Sequence, residues 1–383
     1  MPAAFGRRAE LAALVALCFF LPLYEAPKNL AWAAYVLIWL ANRLRARDFG
    51  GPWDTWDTLI ALWIASVFVV APFAAVHRDE WRAALDVLRY GVALWLLKRS
   101  DYVEYEWRWP LGALLASALI GLAIGFAKLW TGTLGTLQLN SVGHVNHTAI
   151  YLAIILGLAT AWFLAGGPAV LLYGTMAVIL AALFIAASRA AVGVGLATMV
   201  MLALLGLRRT RRRAAFVLAA VAVSIIVAVL SAAQVVVRQQ QLTQEGNTLN
   251  FRAPAWQLGV EAWRQHPWFG LGMDNFDVVT RARDAAYGAL VPHAHNLYLN
   301  TLVERGIVGA AALAAVLIAW TWALWRRPPR ATDDRYDWLL WGAAASAWLV
   351  TGAAGMVNTT LHHEHGLLAM LLLGLWIARA DRR

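Results

Sequence analysis

The segment His293-Ala294-His295-Asn296 opens an apolar stretch that runs to residue 325 and contains Gly306 and Gly309. Eleven residues separate His295 from Gly306, which is about three turns of an α-helix. The spacing predicts a helix over 296–325 with an imidazole and two glycines on one face. Small residues on one face of a membrane helix let a second helix approach closely. A titratable ring at the end of such a face is a candidate for chemistry, and the alternative is that Asn296 simply caps the helix.

The composition excludes a soluble domain. Of the 383 residues, 61% are hydrophobic and 14% are charged, whereas a soluble protein carries about 25% charged residues. The sequence therefore predicts an all-α, polytopic membrane protein with a single transmembrane domain over 1–383. The apolar run that follows residues 1–10 has no small-residue cleavage site, so we expect a retained first span and not a signal peptide. The single Cys18 excludes an internal disulfide.

About twelve apolar runs are long enough to cross a bilayer, which takes about 17–25 residues. The run at 81–97 is interrupted by Asp86 and Arg89. Between the ninth and tenth runs, residues 234–295 are predicted to form one large loop outside the membrane. The predicted spans are 9–27, 28–44, 57–76, 81–97, 110–130, 148–166, 168–187, 190–207, 214–234, 296–325, 336–356 and 365–380.

Lysine and arginine set the orientation of the spans, because cytoplasmic loops are enriched in them. With the N-terminus in the cytoplasm, the cytoplasmic segments hold 20 of the 32 basic residues, and both termini are cytoplasmic. The basic run at 208–213 then anchors this orientation and does not indicate nucleic-acid binding. All nine histidines fall on the outer side, so we expect any chemistry to occur on that face.

Two arginines stand out on the predicted outer side. Arg189 interrupts a long apolar run. It can be an interfacial side chain, but an arginine inside a helix bundle more often marks a functional site. Arg252 begins a stretch in which Trp256, Val260 and Trp263 recur at i, i+4 and i+7, which predicts an amphipathic helix. Such a helix lies along a membrane surface or roofs a cavity.

Nucleotide and metal sites have little support in the sequence. No Gly-x-x-x-x-Gly-Lys loop occurs, so an ATP-driven reaction is not expected. His362, His363 and His365 form a histidine-rich run, but zinc needs three or four ligands that converge in space, and nothing in the sequence forces that convergence. We therefore expect no metal and no cofactor, and a substrate that arrives already activated.

His295-Asn296, nine residues, and then Gly306-Ile-Val-Gly309 resembles the signature of the O-antigen ligase family. That signature is His, then Asn, Ser or Gln, nine residues, Gly, two residues, and Gly, Thr or Tyr. The resemblance implies a GT-C-like glycosyltransferase in the bacterial inner membrane with its active site on the periplasmic side. Its implied partners are undecaprenyl diphosphate-linked O-antigen, the lipid A–core oligosaccharide and membrane lipids, without nucleic acid.

The family roles that the resemblance implies are His295 as catalytic base, Arg189 and Arg252 as ligands of the donor diphosphate, and Asn296, Gly306, Gly309 and Trp256 as supporting residues. A helix N-terminus and neighbouring arginines would keep the histidine neutral and basic, and guanidinium groups match phosphate oxygens. The implied reaction is a metal-independent, inverting glycosyl transfer.

Three alternatives remain open at this point. An O-antigen polymerase or a protein O-oligosaccharyltransferase of the same superfamily would differ only in the acceptor. A flippase for lipid-linked oligosaccharide, which is not an enzyme, needs basic residues along a central path, whereas the intramembrane charges here are few and lie toward the outer side. The sequence also leaves open whether His293 or the histidines at 362–365 assist His295.

Overall fold

The computed structural model describes residues 2–78, 80–186, 188–230, 248–281 and 293–382. Within these ranges every regular element is helical. The helices are α1 (Pro2–Phe20), α2 (Glu25–Ala46), α3 (Thr55–Val70), α4 (Glu80–Lys98), α5 (Arg108–Trp130), α6 (Val145–Leu164), α7 (Ala169–Ile185), α8 (Arg189–Gly206), α9 (Arg211–Leu230), α10 (Thr248–Gln265), α11 (Asp277–Arg281), α12 (Leu297–Arg326), α13 (Arg335–Leu349) and α14 (His363–Ala380).

Each predicted span corresponds to one of these helices, which confirms a helical membrane protein. Six of the helices in the described part of the chain, α3, α5, α6, α8, α9 and α12, are long and apolar enough to cross a membrane. The crossing of the membrane by the remaining helices stays a prediction. The predicted first span, 9–27, ends too late, because α1 stops at Phe20 and Pro22 disfavours helical geometry at the residue before it.

The helix α6 lies at the centre of the bundle and packs against α7, α8 and α13. It is apolar all round and almost all of its residues are buried, as expected for a helix enclosed by others. Gly157 on α6 lies directly against Ser346 on α13, and a Cβ added to Gly342 would stand 2.7 Å from the Cβ of Ala161. Small residues therefore let α6 and α13 approach closely.

Segments that the charge pattern assigns to the cytoplasmic side meet at one end of the bundle. Asp101 forms ion pairs with Arg7 at 3.7 Å and with Arg43 at 3.3 Å. Near the C-terminus, Arg382 donates to the carbonyl oxygen of Ser100 at 2.6 Å. The structure thus groups these segments as the sequence predicts, and which face of the membrane this end occupies stays a prediction.

The predicted large loop is described only in part. Its residues up to 247 and its residues 282–292 lie outside the described ranges. The predicted amphipathic helix is present as α10, which begins four residues before Arg252. It packs against α12 through a small apolar core that includes Ala255, Ala262, Phe276 and Val303. The loop helix α10 therefore packs against α12, the helix that carries the two glycines of the signature.

Candidate active site

His295 lies in a tight turn immediately before α12, and Asn296 is the N-cap of that helix. The Oδ1 atom of Asn296 accepts hydrogen bonds from the N–H groups of Tyr298 and Leu299, both at 3.0 Å. The Asn296 amide also donates to the carbonyl oxygen of Met356 at 3.0 Å. The interpretation of Asn296 as a helix cap is confirmed, and this cap ties the turn that presents His295 to the segment that follows α13.

The backbone of His295 is in the left-handed region, with φ of 47°. This conformation costs of the order of 1–3 kcal/mol in a residue other than glycine and persists only where the surroundings impose it. The preceding residue supplies the constraint. The indole N–H of Trp256 donates to the carbonyl oxygen of Ala294 at 2.7 Å, and the N–H of Ala294 donates to Oδ1 of Asn300 at 3.0 Å. Trp256, which lies on α10, thus fixes the turn at Ala294 and His295 by this hydrogen bond.

The helix α12 is interrupted at Gly306, which has φ of 59° and ψ of −163°. His295 also precedes the helix. The predicted continuous face that carries His295, Gly306 and Gly309 is therefore wrong. The physical reason is that a three-turn register holds only along an unbroken helix.

The loop that follows α10 inserts into this interruption and satisfies the backbone groups that the kink exposes. The N–H groups of Ile307 and Val308 donate to the carbonyl oxygens of Pro267 and Trp268, at 2.8 and 3.2 Å. In the other direction, Leu271 N–H donates to the Val303 carbonyl oxygen at 2.9 Å. Unpaired backbone groups are costly in an apolar region, so these bonds stabilise the kink.

We expect Gly306→Ala to destabilise the protein by at least about 2 kcal/mol. The backbone angles of Gly306 are in a region that essentially only glycine adopts, and an added Cβ would overlap the carbonyl oxygen of Trp268. Thermal unfolding of the purified protein in detergent measures the loss. The matched control is Gly174→Ala, a helical position with open space around it, which should be neutral or slightly stabilising. Equal melting temperatures for the two variants would contradict this account.

Gly309 has a packing role. An added Cβ would overlap the side chain of Arg305, which lies on the other side of the break at Gly306 and is almost fully buried. The second glycine of the signature therefore leaves room for a buried arginine beside the kink.

The two predicted arginines lie near each other. Arg252, on α10, is half-buried, and its Nε has no hydrogen-bond partner among the described residues. Burial lowers the pKa of Arg252, and the positive charge of Arg189 lowers it further. Arg189 is exposed and is the first residue of α8, where the helix dipole favours an anion. This arrangement suits an anionic ligand, which would relieve the repulsion and supply the missing acceptor.

The same electrostatic environment acts on His295. Burial lowers the pKa of His295 to about 4, and the neighbouring Arg252, His293 and His144 add to the effect. The ring is therefore neutral at neutral pH and able to accept a proton. The structure thus brings His295, Arg252 and Arg189 into one electrostatic neighbourhood, although they lie far apart along the chain.

Six more histidines form a cluster near His295, although nothing in the sequence forces them to converge. The ring centroids of His362 and His363 are 3.8 Å apart, and His293 lies 5.1 Å from His362. His147 lies 4.9 Å from His363. The rings of this histidine cluster belong to His144, His147, His293, His362, His363 and His365. The sequence offers His144 and His147 as two further histidines just before a predicted span, and the structure brings His147 to the histidines at 362–365.

An apolar groove of about 680 Å³ runs along α12 and α13 from the level of the Asn296 cap. Tyr298 and Met356 line it, and both are adjacent to the cap through the contacts described above. Further along, Leu313, Leu317 and Trp348 form its walls. The groove therefore connects the candidate site to an apolar path between two helices.

Comparison with known families covers the part of the chain that carries His295 and the two arginines. Residues 174–314 match the family described as O-antigen ligase. The matched range contains Arg189, Arg252, His295, Gly306 and Gly309, so the resemblance stated from the sequence is confirmed over these residues. No curated protein matches the chain.

Proposed function

Because residues 174–314 match the O-antigen ligase family, we propose that this chain is an O-antigen ligase. It transfers O-antigen polysaccharide from undecaprenyl diphosphate to a hydroxyl group of the lipid A–core oligosaccharide, on the periplasmic face of the inner membrane. The observation that carries the proposal is the neutral, largely enclosed His295 next to Arg252, whose buried Nε lacks an acceptor among the described residues.

His295 acts as the general base in this proposal. Its neutral ring removes the proton from the acceptor hydroxyl as the hydroxyl oxygen attacks the anomeric carbon. The bond between that carbon and the diphosphate oxygen breaks, and its electron pair leaves with the diphosphate. Because attack and departure occur on opposite sides of the carbon, the anomeric configuration is inverted. The diphosphate is already a good leaving group, so no nucleotide is needed.

The arginines stabilise the charge that develops on the leaving group. Guanidinium groups form paired hydrogen bonds with phosphate oxygens. Arg252 offers an Nε donor that is already removed from water, and Arg189 adds a second guanidinium at a helix N-terminus. Donors that are in place before the reaction stabilise the transition state without further reorganisation.

The apolar groove along α12 suits the isoprenoid tail of the carrier lipid. It is lined mainly by aliphatic and aromatic side chains and begins next to the Asn296 cap. A lipid tail in this groove would place its diphosphate at the level of His295. This supports a lipid-linked donor over a water-soluble sugar nucleotide.

The two enzymatic alternatives use the same lipid-linked donor and differ in the acceptor. A polymerase would use a growing lipid-linked glycan as acceptor, and a protein O-oligosaccharyltransferase would use a protein hydroxyl. A flippase would need no general base, so the neutral buried imidazole favours an enzyme.

Transfer should proceed without nucleotide and without added metal. Purified protein is incubated with lipid-linked O-antigen and lipid A–core in the presence of a chelator, and the product is followed as a mobility shift of the lipid A–core. We expect full transfer, because the two guanidiniums replace a cation at the diphosphate. Product formed only with lipid-linked glycan as acceptor would indicate a polymerase. Loss of turnover with the chelator and rescue by a metal would contradict the metal-free reaction.

The low pKa of His295 predicts an acid limit that differs from that of an ordinary histidine. Because the pKa of His295 is lowered, its neutral, basic form persists down to about pH 4. A histidine with an ordinary pKa of about 6.5 becomes protonated as the pH falls through about 6.5. The kcat/KM of transfer, which reports the free enzyme, should therefore stay level from about pH 8 to about pH 5. Initial rates at low donor concentration measure this profile. A half-maximal loss near pH 6.5 would contradict the assignment.

A further inference from the structure

We propose that His147, His362 and His363 form a binding site for a divalent transition-metal ion. His147 is in the first turn of α6, His363 is the first residue of α14, and His362 directly precedes that helix. One ring nitrogen of each lies within 4.8 Å of the other two. None of the three is assigned a part in the glycosyl transfer above, so this site is independent of the proposed function.

The ligand set determines the class of ion. Imidazole nitrogen suits zinc, copper and nickel, whereas magnesium and calcium prefer oxygen ligands. In a tetrahedral zinc site with Zn–N distances of about 2.0–2.1 Å, the nitrogens stand roughly 3.3 Å apart. The three rings therefore need to close by no more than about 1.5 Å, which side-chain rotation can supply. Three protein ligands leave a fourth position for water.

Two ring nitrogens show features expected of a metal site. Nδ1 of His362 is buried and has no hydrogen-bond partner among the residues described. A bound metal ion would supply the missing partner of this polar atom. Nδ1 of His147 lies 2.9 Å from Nε2 of the fully buried His365. Ligating histidines commonly have their second ring nitrogen fixed by an outer hydrogen bond. His365 is therefore the orienting residue for His147, whose Nε2 remains for the ion.

The neighbouring acidic side chain forms an ion pair through one of its oxygens and is not among the three converging ligands. Glu364, between the two histidines of α14 in sequence, forms a buried ion pair with Lys28. The site is thus a neutral three-histidine site that binds an ion with its full charge uncompensated by the ligands.

Binding of Co²⁺ to the chelator-stripped, full-length protein tests the proposal. Absorption bands of the bound ion report the ligand geometry, and displacement by Zn²⁺ gives the affinity for zinc. We expect one equivalent of Co²⁺ per chain, with at least about 10-fold weaker binding in His147→Ala and in His363→Ala. His363 is exposed as a residue, so we expect its replacement to have little effect on folding. The control His266→Ala removes an exposed histidine outside the cluster and should bind like the wild type.

The variant His365→Phe separates an orienting role from a ligand role. It keeps the three ligands but removes the hydrogen bond to His147. We expect binding to weaken by about 10–100-fold with one equivalent retained. Size-exclusion chromatography and melting temperature establish that each variant is folded. The proposal is overturned if the wild type binds no stoichiometric Co²⁺, or if His147→Ala and His363→Ala bind it as tightly as the His266→Ala control.

Discussion

Replacement of His295 by alanine is expected to lower polysaccharide transfer by about 10²–10⁴-fold, the usual contribution of a general base. The ring is largely buried, is neutral because of that burial and of the nearby Arg252, and is held in place by the Asn296 cap and by Trp256. Transfer of a fluorescent lipid-linked glycan to lipid A–core, measured with saturating substrates, gives the loss in kcat.

The left-handed backbone at residue 295 determines which substitution is informative. Alanine is strained at φ of 47°, so His295→Ala changes both the chemistry and the turn. Asparagine tolerates this region, so His295→Asn removes the base and keeps the backbone. We expect the same loss of activity in both variants and an unchanged melting temperature in His295→Asn.

His293→Ala is the matched control for the choice of imidazole. His293 is two residues away and belongs to the histidine cluster, but it lies outside the family signature. Its replacement should be far better tolerated. Near wild-type turnover in His295→Asn, or an equal loss in His293→Ala, would show that His295 is not the base.

Removal of either predicted diphosphate ligand should lower turnover at least about 10-fold, since a hydrogen bond between charged groups is worth about 1.5–3 kcal/mol. Arg252 presents a buried donor without an acceptor in the described part of the chain, and Arg189 lies close enough for its charge to lower the pKa of Arg252. Substitution by lysine keeps the charge but loses the planar fork, so Arg252→Lys and Arg189→Lys should recover only part of the activity.

A double-mutant cycle tests whether the two arginines bind one diphosphate. If they share it, the loss in Arg189→Ala/Arg252→Ala should be smaller than the product of the two single losses. The control is Arg264→Ala, which removes an exposed arginine from the same loop helix. Full activity of Arg189→Ala, or independent losses in the cycle, would exclude a shared clamp.

The spacing from His295 to the two glycines of the signature matches the family, but its interpretation as one continuous helical face is wrong. The interval from His295 to Gly306 predicts three helical turns, but the chain leaves the helix at Gly306 to pair with the loop at 267–271. Those hydrogen bonds join residues that the sequence places more than thirty positions apart. No local pattern around Gly306 contains them.

Features that depend on neighbouring residues were determined by the sequence itself. The helical nature of each predicted span, the cap at Asn296 and the amphipathic helix around Arg252 follow from local periodicity and side-chain chemistry, and all three are present. The spacing of the signature likewise identified the family over the range that contains His295.

Features that depend on distant residues were decided only by the tertiary structure. The approach of Arg189 to Arg252 and the meeting of His147 with His362 and His363 require helices that are separated in the chain to pack side by side. Such packing depends on small-residue contacts, like that of Gly157 with Ser346, and on backbone groups that find partners in remote loops. Periodicity describes one helix at a time, whereas the relative placement of two helices is set by the shapes of both surfaces.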